Sequence, residues 1–373
     1  MSETTKSTTV DAWWVSLLTT VGVPLLSVAL AMAIGSVIIV FRGQDPVAAF
    51  SALLQGAFGG WRQIGETIMR ATPLMLTGLA VGFGFRANLF NIGAEGQLIL
   101  GSLGAAWLGL LLAPLPSVLS IPLILIGAAL FGAAWAFIPA LLKAKVGAHE
   151  VITTMMFSWM ALYLTSWIVS GPLADKGGIP QTPMLSGAVW LPTFDTIIPG
   201  LPPMRAHMGF VLALLVAVGV ALVLRRTTLG YEVRAVGFNP SAAQNGGISI
   251  PLTTIYALCI SGALAGLAGA SEVLGVTHRF FDQVSAGSGF GFTGIAVALL
   301  GKKNPVGILF AALLFGALSA GAGTMQLEAN VSQKIITIVQ GLIIFFVGAE
   351  TIVTWFIKRR KRLALEREGA TNA

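Results

Sequence analysis

The sequence predicts an all-α, polytopic membrane protein of about ten transmembrane helices, arranged as two inverted five-helix repeats. Three observations lead there. The 373 residues are 55% hydrophobic and only 10% charged, with a mean hydropathy of +0.86, whereas a water-soluble chain carries roughly 25% charged residues. Apolar runs long enough to cross a bilayer recur, from Val15 to Phe41 at one end to Ile335 to Ile357 at the other; a spanning helix needs about 20 such residues. The chain also repeats itself in register. Leu130-Phe131-Gly132-Ala133 returns 184 positions later as Leu314-Phe315-Gly316-Ala317, and Ile152-Thr153 returns at the same spacing as Ile336-Thr337.

This composition excludes secreted, disordered, fibrous and nucleic-acid-binding proteins. The 45 glycines and 17 prolines would undermine a soluble bundle, but small residues let membrane helices approach closely. The lone Cys259 cannot form an intrachain disulfide. The net charge of +7 is gathered beside the ends of apolar runs: Lys143 and Lys145; Arg225, Arg226 and Arg234; Lys302 and Lys303; and the run Lys358 to Arg362. By the positive-inside rule these loops are cytoplasmic, and anionic lipid head groups are their natural contact. Ala31 and Ala33 mimic a signal-peptide cleavage site, but the apolar stretch runs on through Val40 and reads as a retained anchor.

Parity between the basic landmarks requires an even number of spans between each pair. Ten spans satisfy it: 15–41, 66–86, 93–113, 120–142, 150–170, 207–225, 253–275, 287–301, 305–325 and 335–357, within a membrane domain 15–357. Residues 1–14 form a cytoplasmic tail and residues 358–373 a basic cytoplasmic tail. Segments 42–65 and 171–206 are periplasmic, the first with an interfacial helix around Val47 to Gln55, the second a Pro- and Gly-rich cap or lid. The eighth span, at about 22 Å against a bilayer core of about 30 Å, predicts a half-helix buried within protein. In this order span 120–142 runs inward and span 305–325 outward, so the repeats are inverted, a device that lets two halves exchange inward- and outward-facing shapes.

Two stretches concentrate polarity. Arg86 to Gln97 places charged and amide side chains at the junction of two spans, which a bilayer tolerates when they pair, cap a helix or face water. Asn91 is suited to cap the third span, with Glu95 offsetting the helix dipole and Arg86 pairing with it. In the functional reading, Asn88, Asn91, Glu95 and Gln97 border the route of a polar solute. The cytoplasmic loop 226–252 contains a helix of about two turns framed by its own punctuation: Asn239 as N-cap, Pro240 at the first position and Gly246-Gly247 as the stop. Alone it is too short to be stable in water, so it predicts docking, with Ala242 and Ala243 as a small-residue face.

Elsewhere Glu66 and Arg70, one turn apart, neutralise each other, and Glu272, His278 and Arg279 shape an outer mouth or sit at the interface. His149-Glu150 lacks the second histidine of a zinc-protease motif, so no metal site is assigned. Gly289 to Gly294 fits G-x-G-x-x-G by letter but lies in an apolar membrane segment, and Gly301-Lys302-Lys303 lacks the rest of a phosphate-binding loop. The G-x-x-x-G pairs Gly78/Gly82 and Gly262/Gly266 read as helix contacts. There is no catalytic constellation, and the chain reads as a transport subunit and not an enzyme.

Asn91-Ile92-Gly93-Ala94-Glu95-Gly96-Gln97, Arg234 to Pro240 with Ala242-Ala243 and Gly247-Ile248, and Gly291 to Gly301 together resemble bacterial ABC importer permeases. More narrowly they resemble the nucleoside-uptake branch of the superfamily that includes ribose and branched-chain amino acid permeases. The resemblance covers nearly the whole chain after the first span. It implies a type II ABC importer-like fold in the bacterial inner membrane, both termini cytoplasmic. It further implies partner ATPases that bind ATP and Mg, a second and commonly different permease, of which this chain looks like the longer, and a periplasmic or lipoprotein solute-binding protein. Arg234, Gly237, Asn239, Pro240, Ala242 and Ala243 would form the coupling helix, and the solute would be a nucleoside, guanosine being typical. A simple sugar such as ribose is the alternative solute; an ion-coupled secondary transporter, with Glu95 as its midplane carboxylate, is the alternative mechanism.

Overall fold

The computed structural model describes residues 22–282 and 289–349. Expectations about the tails 1–14 and 358–373, the first residues of span 15–41, the start of span 287–301 and the end of span 335–357 lie outside them. The described elements are helices: α1 Val23–Phe41, α2 Pro46–Phe58, α3 Trp61–Arg86, α4 Ala94–Leu111, α5 Ser117–Val146, α6 Glu150–Ser170, α7 Gly209–Arg226, α8 Thr228–Phe238, α9 Pro240–Asn245, α10 Ile250–Glu272, α11 Phe290–Leu300, α12 Pro305–Ala329 and α13 Gln333–Ala349. A helix stands at every predicted span. Among the described residues eight are long and apolar enough to cross a bilayer, and α2, α11 and α13 are shorter. The chain is a multi-pass membrane protein.

Two boundaries depart from expectation. Segment 42–65 does not end as loop, because α3 begins at Trp61, its polar first turn extending the helix past the apolar run. The α10 helix continues as a π-helical turn, Val273–Thr277, and stops at His278, whose left-handed φ of 54° lets its N–H return to the Val273 carbonyl at 2.8 Å.

Two compact units are formed, one from the described residues up to Ala49 with those from Gln326 onward, the other from Phe50 to Met325. In the first, Gln44 Nε2 donates to the Asn330 carbonyl, which fastens the end of α1 to the turn before α13. The second is built on small-residue seams. The Gly132 backbone of α5 lies against Gly262 and Gly266 of α10, and a Cβ on Gly266 would meet the Ala128 carbonyl at 2.3 Å. Gly316 of α12 lies on Thr67 and Ala71 of α3, while Ile308 fills the space over Gly78 and Gly82. In membranes such close backbone approach, more than hydrophobic driving force, holds helices together.

Shifting the first half by 184 positions lays α1 on α7, α2 on α8, α3 on α10, α5 on α12 and the start of α6 on that of α13, and carries Gly78/Gly82 onto Gly262/Gly266. The halves are inverted, as the packing directions show. Along α5 and α10 the contacts run antiparallel, from Ala136 on Gly262 to Ala128 on Gly266, and likewise along α12 and α3. By contrast α11 runs parallel to α3, and α4 parallel to α10. Each half therefore packs its long helix against the other half. Among the described residues the register slips most at the helices that follow α3 and α10: Ala94, the start of α4, shifts to 278, but its counterpart α11 starts at Phe290.

Candidate functional site

The polar motif is a strap that climbs back into the membrane. Asn88 ends α3 in the left-handed conformation, φ 56°, and the Leu89 N–H bonds the Gly84 carbonyl at 3.0 Å; asparagine is one of the few non-glycine residues that adopts this turn readily. From there the chain rises beside α3 until Asn91 Nδ2 donates to Ser261 Oγ of α10 at 2.8 Å, and Ser261 Oγ donates to the Ala80 carbonyl of α3 at 2.7 Å. Ser261 lies eleven residues into α10, about 16 Å at the helical rise, or half of a bilayer core of about 30 Å. Helix α4 thus starts near the midplane.

Asn91 is fully buried and exchanges a pair of hydrogen bonds with Gln97, Nδ2 to Oε1 at 2.8 Å and Nε2 to Oδ1 at 3.2 Å. Ser158 Oγ of α6 accepts from the Gly96 N–H at 3.3 Å, and Gly93 is enclosed by Thr154, Asn91 and Gln97. Asn91 therefore does not cap α4, as its sequence position predicted: the cap position is Gly93, and the amide is engaged sideways by Gln97 and Ser261. Arg86 does not pair with Glu95 either, since its Nε donates to the Lys303 carbonyl at 3.0 Å, beyond the far end of α11.

Glu95, 7% exposed, serves a different helix from its own. Its Oε1 accepts from the Gly289 N–H at 3.0 Å and its Oε2 from the Gly291 N–H at 2.6 Å, so it caps α11. A Cβ on Gly291 would lie 2.3 Å from the Glu95 nitrogen, and the N-termini of α4 and α11 thus meet head to head. Each N-terminus carries about half a positive charge, so a lone carboxylate between them offsets a repulsion that bilayer depth would leave unscreened. The structure brings Asn91, Glu95 and Gln97 together with Ser261 and Ser158, two partners that sequence reasoning missed because single serines in apolar runs carry no signal. Asn88 is set apart, exposed at the turn below.

That turn meets the α8–α9 loop. All the basic landmarks of the second unit lie at this end: Lys143 lines a cavity of about 400 Å³ with Gln244, Ile248 and Pro251, and its Nζ pairs with Glu150 at 2.8 Å. Asn239 Oδ1 accepts from the Ala242 N–H at 3.1 Å, Pro240 opens α9, and Gly247 turns out of it with φ 85°. Ala242 is exposed, but Ala243 is buried and its carbonyl accepts from the Ile248 N–H. The expected Ala242/Ala243 face is therefore split, with Ala243 turned toward its own chain. Arg234 Nε bonds the Gly230 carbonyl within α8. Gly237 packs directly on the strap's first turn, where a Cβ would meet the Arg86 carbonyl at 2.0 Å and the Ala87 Cα at 3.2 Å. The exposed aromatics Tyr231 and Phe238, the latter 89% exposed, were legible in the loop but not read as docking residues.

The opposite end carries the cap. The predicted Glu66–Arg70 pair is present at 2.9 Å and is joined by Arg205 at 3.4 Å. Backbone hydrogen bonds fasten the cap to the turn after α10, from Thr182 to Phe280, Leu185 to His278, and Leu191 to Leu274. Trp190 stacks on His278 at 3.9 Å. His207 accepts from the Gly209 N–H, and burial, with the nearby His278 and Arg205 adding to it, lowers its pKa to about 4.

Comparison with known proteins agrees with this architecture. Over residues 63–348 the chain matches the family described as "Branched-chain amino acid transport system / permease component". It is 41% identical to the guanosine ABC transporter permease protein NupP of Bacillus subtilis, over 91% of this chain and 96% of that one. It is 36% identical to a glucose ABC transporter permease protein of Haloferax volcanii, over 97% and 93%, and 34% identical to the nucleoside ABC transporter permease protein NupB of Lactococcus lactis, over 91% and 94%. Those two bacteria also hold second guanosine and nucleoside permease proteins, NupQ and NupC, that match at 31% and 27%. No solved structure matches the chain. The chain belongs to the permease-component family of branched-chain amino acid transport systems.

Proposed function

We propose that this chain is the longer of two permease subunits in an ABC importer of nucleosides, guanosine first among them, seated in the bacterial inner membrane with both termini cytoplasmic. The observation that carries the reading is the α8–α9 loop: a six-residue helix held by its own Asn239 cap, presented with exposed Phe238 and Tyr231 at the end where the basic residues gather. Large exposed aromatics on a loop outside the spans mark a protein-binding surface. The occupant is an ATPase that binds ATP and Mg; its closure moves the loop, and the inverted halves exchange access to a solute delivered by a periplasmic or lipoprotein binding protein. The paired permeases of the guanosine and nucleoside systems support a heteromeric pair. The bonds of Glu95 to Gly289 and Gly291 weigh against the ion-coupled mechanism, because an ion or proton site there would have to give them up.

A simple sugar is the second reading of the solute, favoured by the similarity to a glucose permease. A panel of labelled guanosine, adenosine, uridine, ribose and glucose, offered to cells carrying the assembled transporter, separates the two. The reading expects saturable guanosine uptake that the other purine nucleoside competes for and the sugars do not; sugar uptake without nucleoside uptake would overturn it.

A further inference from the structure

The strap from Arg86 to Glu95 touches three things that the transport cycle has to connect. At its lower end the Arg86 and Ala87 backbone is covered by Gly237 of the docking loop, so closely that no side chain larger than hydrogen fits between them. The same Arg86 reaches with Nε to the Lys303 carbonyl, just past the C-terminal end of α11. At its upper end Glu95 holds the N-terminal end of α11 through two backbone N–H groups. The 11-residue half-helix, about 16 Å long, is clamped at both ends by one short stretch of chain. Along the way Asn91 ties that stretch to α10 through Ser261.

We infer that the Arg86–Glu95 strap is a rigid relay, carrying displacement of the docking loop to the half-helix α11 at the midplane, with Arg86 and Gly237 as positioning residues for transport. The inference rests on the docking reading of the α8–α9 loop. Its physical basis is that close-packed groups without intervening voids transmit displacement: Gly237 meets bare backbone, which cannot rotate away as a side chain would. Arg86 completes the clamp because its guanidinium, fixed on a carbonyl, makes the lower end of α11 follow the strap's first turn. Lys303, whose Nζ stands 5.1 Å over the Phe85 ring, adds a second hold at the same place.

The test is hydrogen–deuterium exchange on the complete transporter, with ATPases, second permease and binding protein, comparing the nucleotide-free and vanadate-trapped ATP states. In the native assembly trapping is expected to change exchange in peptides covering residues 228–247, 86–97 and 289–300 together. In Arg86→Met, which has no donor for the Lys303 carbonyl, the change should persist in 228–247 and fall at least fivefold in 289–300, with labelled guanosine uptake reduced at least tenfold; Arg86→Lys, which can still donate to the Lys303 carbonyl, should restore more than half of both. An undiminished response of 289–300 in Arg86→Met would overturn the relay, as would loss of the ATPase from that variant, since Arg86 would then act through docking. If the native assembly took up no guanosine but its exchange response travelled as described, the solute assignment would fall and the relay would stand.

Discussion

The two junctions that follow α3 and α10 occupy equivalent places in the two repeats and are held in opposite ways. The first, residues 87–93, is folded inward, its amide Asn91 bonded to Gln97 and Ser261, and its base is pressed by the α8–α9 loop at Gly237. The second, as far as Asp282, is fastened outward by backbone hydrogen bonds to the cap between Pro180 and Leu191. The start of α4 is thus attached to the basic end and the turn after α10 to the opposite end. The N-termini of α4 and α11 meet at Glu95. An inverted repeat supplies two similar levers, and the departure from symmetry assigns each lever to one side of the membrane.

Substitution at the meeting point should have the largest effect. Gly291→Val places atoms where the Glu95 backbone lies, so it is expected to push α4 and α11 apart and abolish a monodisperse peak in detergent size-exclusion chromatography. Glu95→Ala leaves the Gly289 and Gly291 N–H groups without this acceptor, at about 1.5–3 kcal/mol for each bond to a charged partner. A fall in melting temperature is expected, with loss of uptake, whereas Glu95→Gln keeps an acceptor and should lose less than half as much stability. Equal melting temperatures for all three forms would remove Glu95 from the centre of the comparison.

Effects confined to one lever should be smaller. Asn91→Ala strands Gln97 in a buried site, at about 1–3 kcal/mol, and is expected to raise hydrogen exchange in residues 87–97 while leaving 273–282 unchanged; a change in both would mean the junctions are not separate. Asn239→Ala removes the cap of α9, worth about 1 kcal/mol, and should weaken ATPase co-purification without lowering the melting temperature of the membrane bundle.

At the cap the expected effect is the mildest and depends on pH. Burial holds the His207 pKa at about 4, below its ordinary 6.5, so the unfolded chain takes up a proton that the folded cap refuses. Its contribution to stability is fully present above pH 6.5 and is lost as pH falls from there toward 4. Melting curves at pH 7.5 and 5 should show this loss in the native chain, and His207→Gln should shrink it.

Much of the fold was legible because bilayer physics writes long signals: apolar runs, basic loops and small-residue pairs each extend over many positions. The short helix α9 was legible too, since Asn239, Pro240 and Gly246-Gly247 are local punctuation. The strap was not. Asn91 looked like a cap for the helix that follows it, and Glu95 like a balance for its own helix dipole, because sequence proximity favours local partners. Their actual partners, Ser261 and Gly291, lie 170 and 196 positions away, and only packing α4 against α10 and α11 brings them into reach. The burial of Ala243 was hidden for the same reason: a six-residue helix does not disclose which side its own chain will cover.

The most direct test of the account is guanosine uptake into proteoliposomes containing the two permeases and the binding protein, with and without the ATPase and ATP. Uptake that requires both, and that Asn239→Ala lowers while the permeases stay in the membrane, is the predicted result. Uptake by the permeases alone, following an imposed proton gradient, would contradict it.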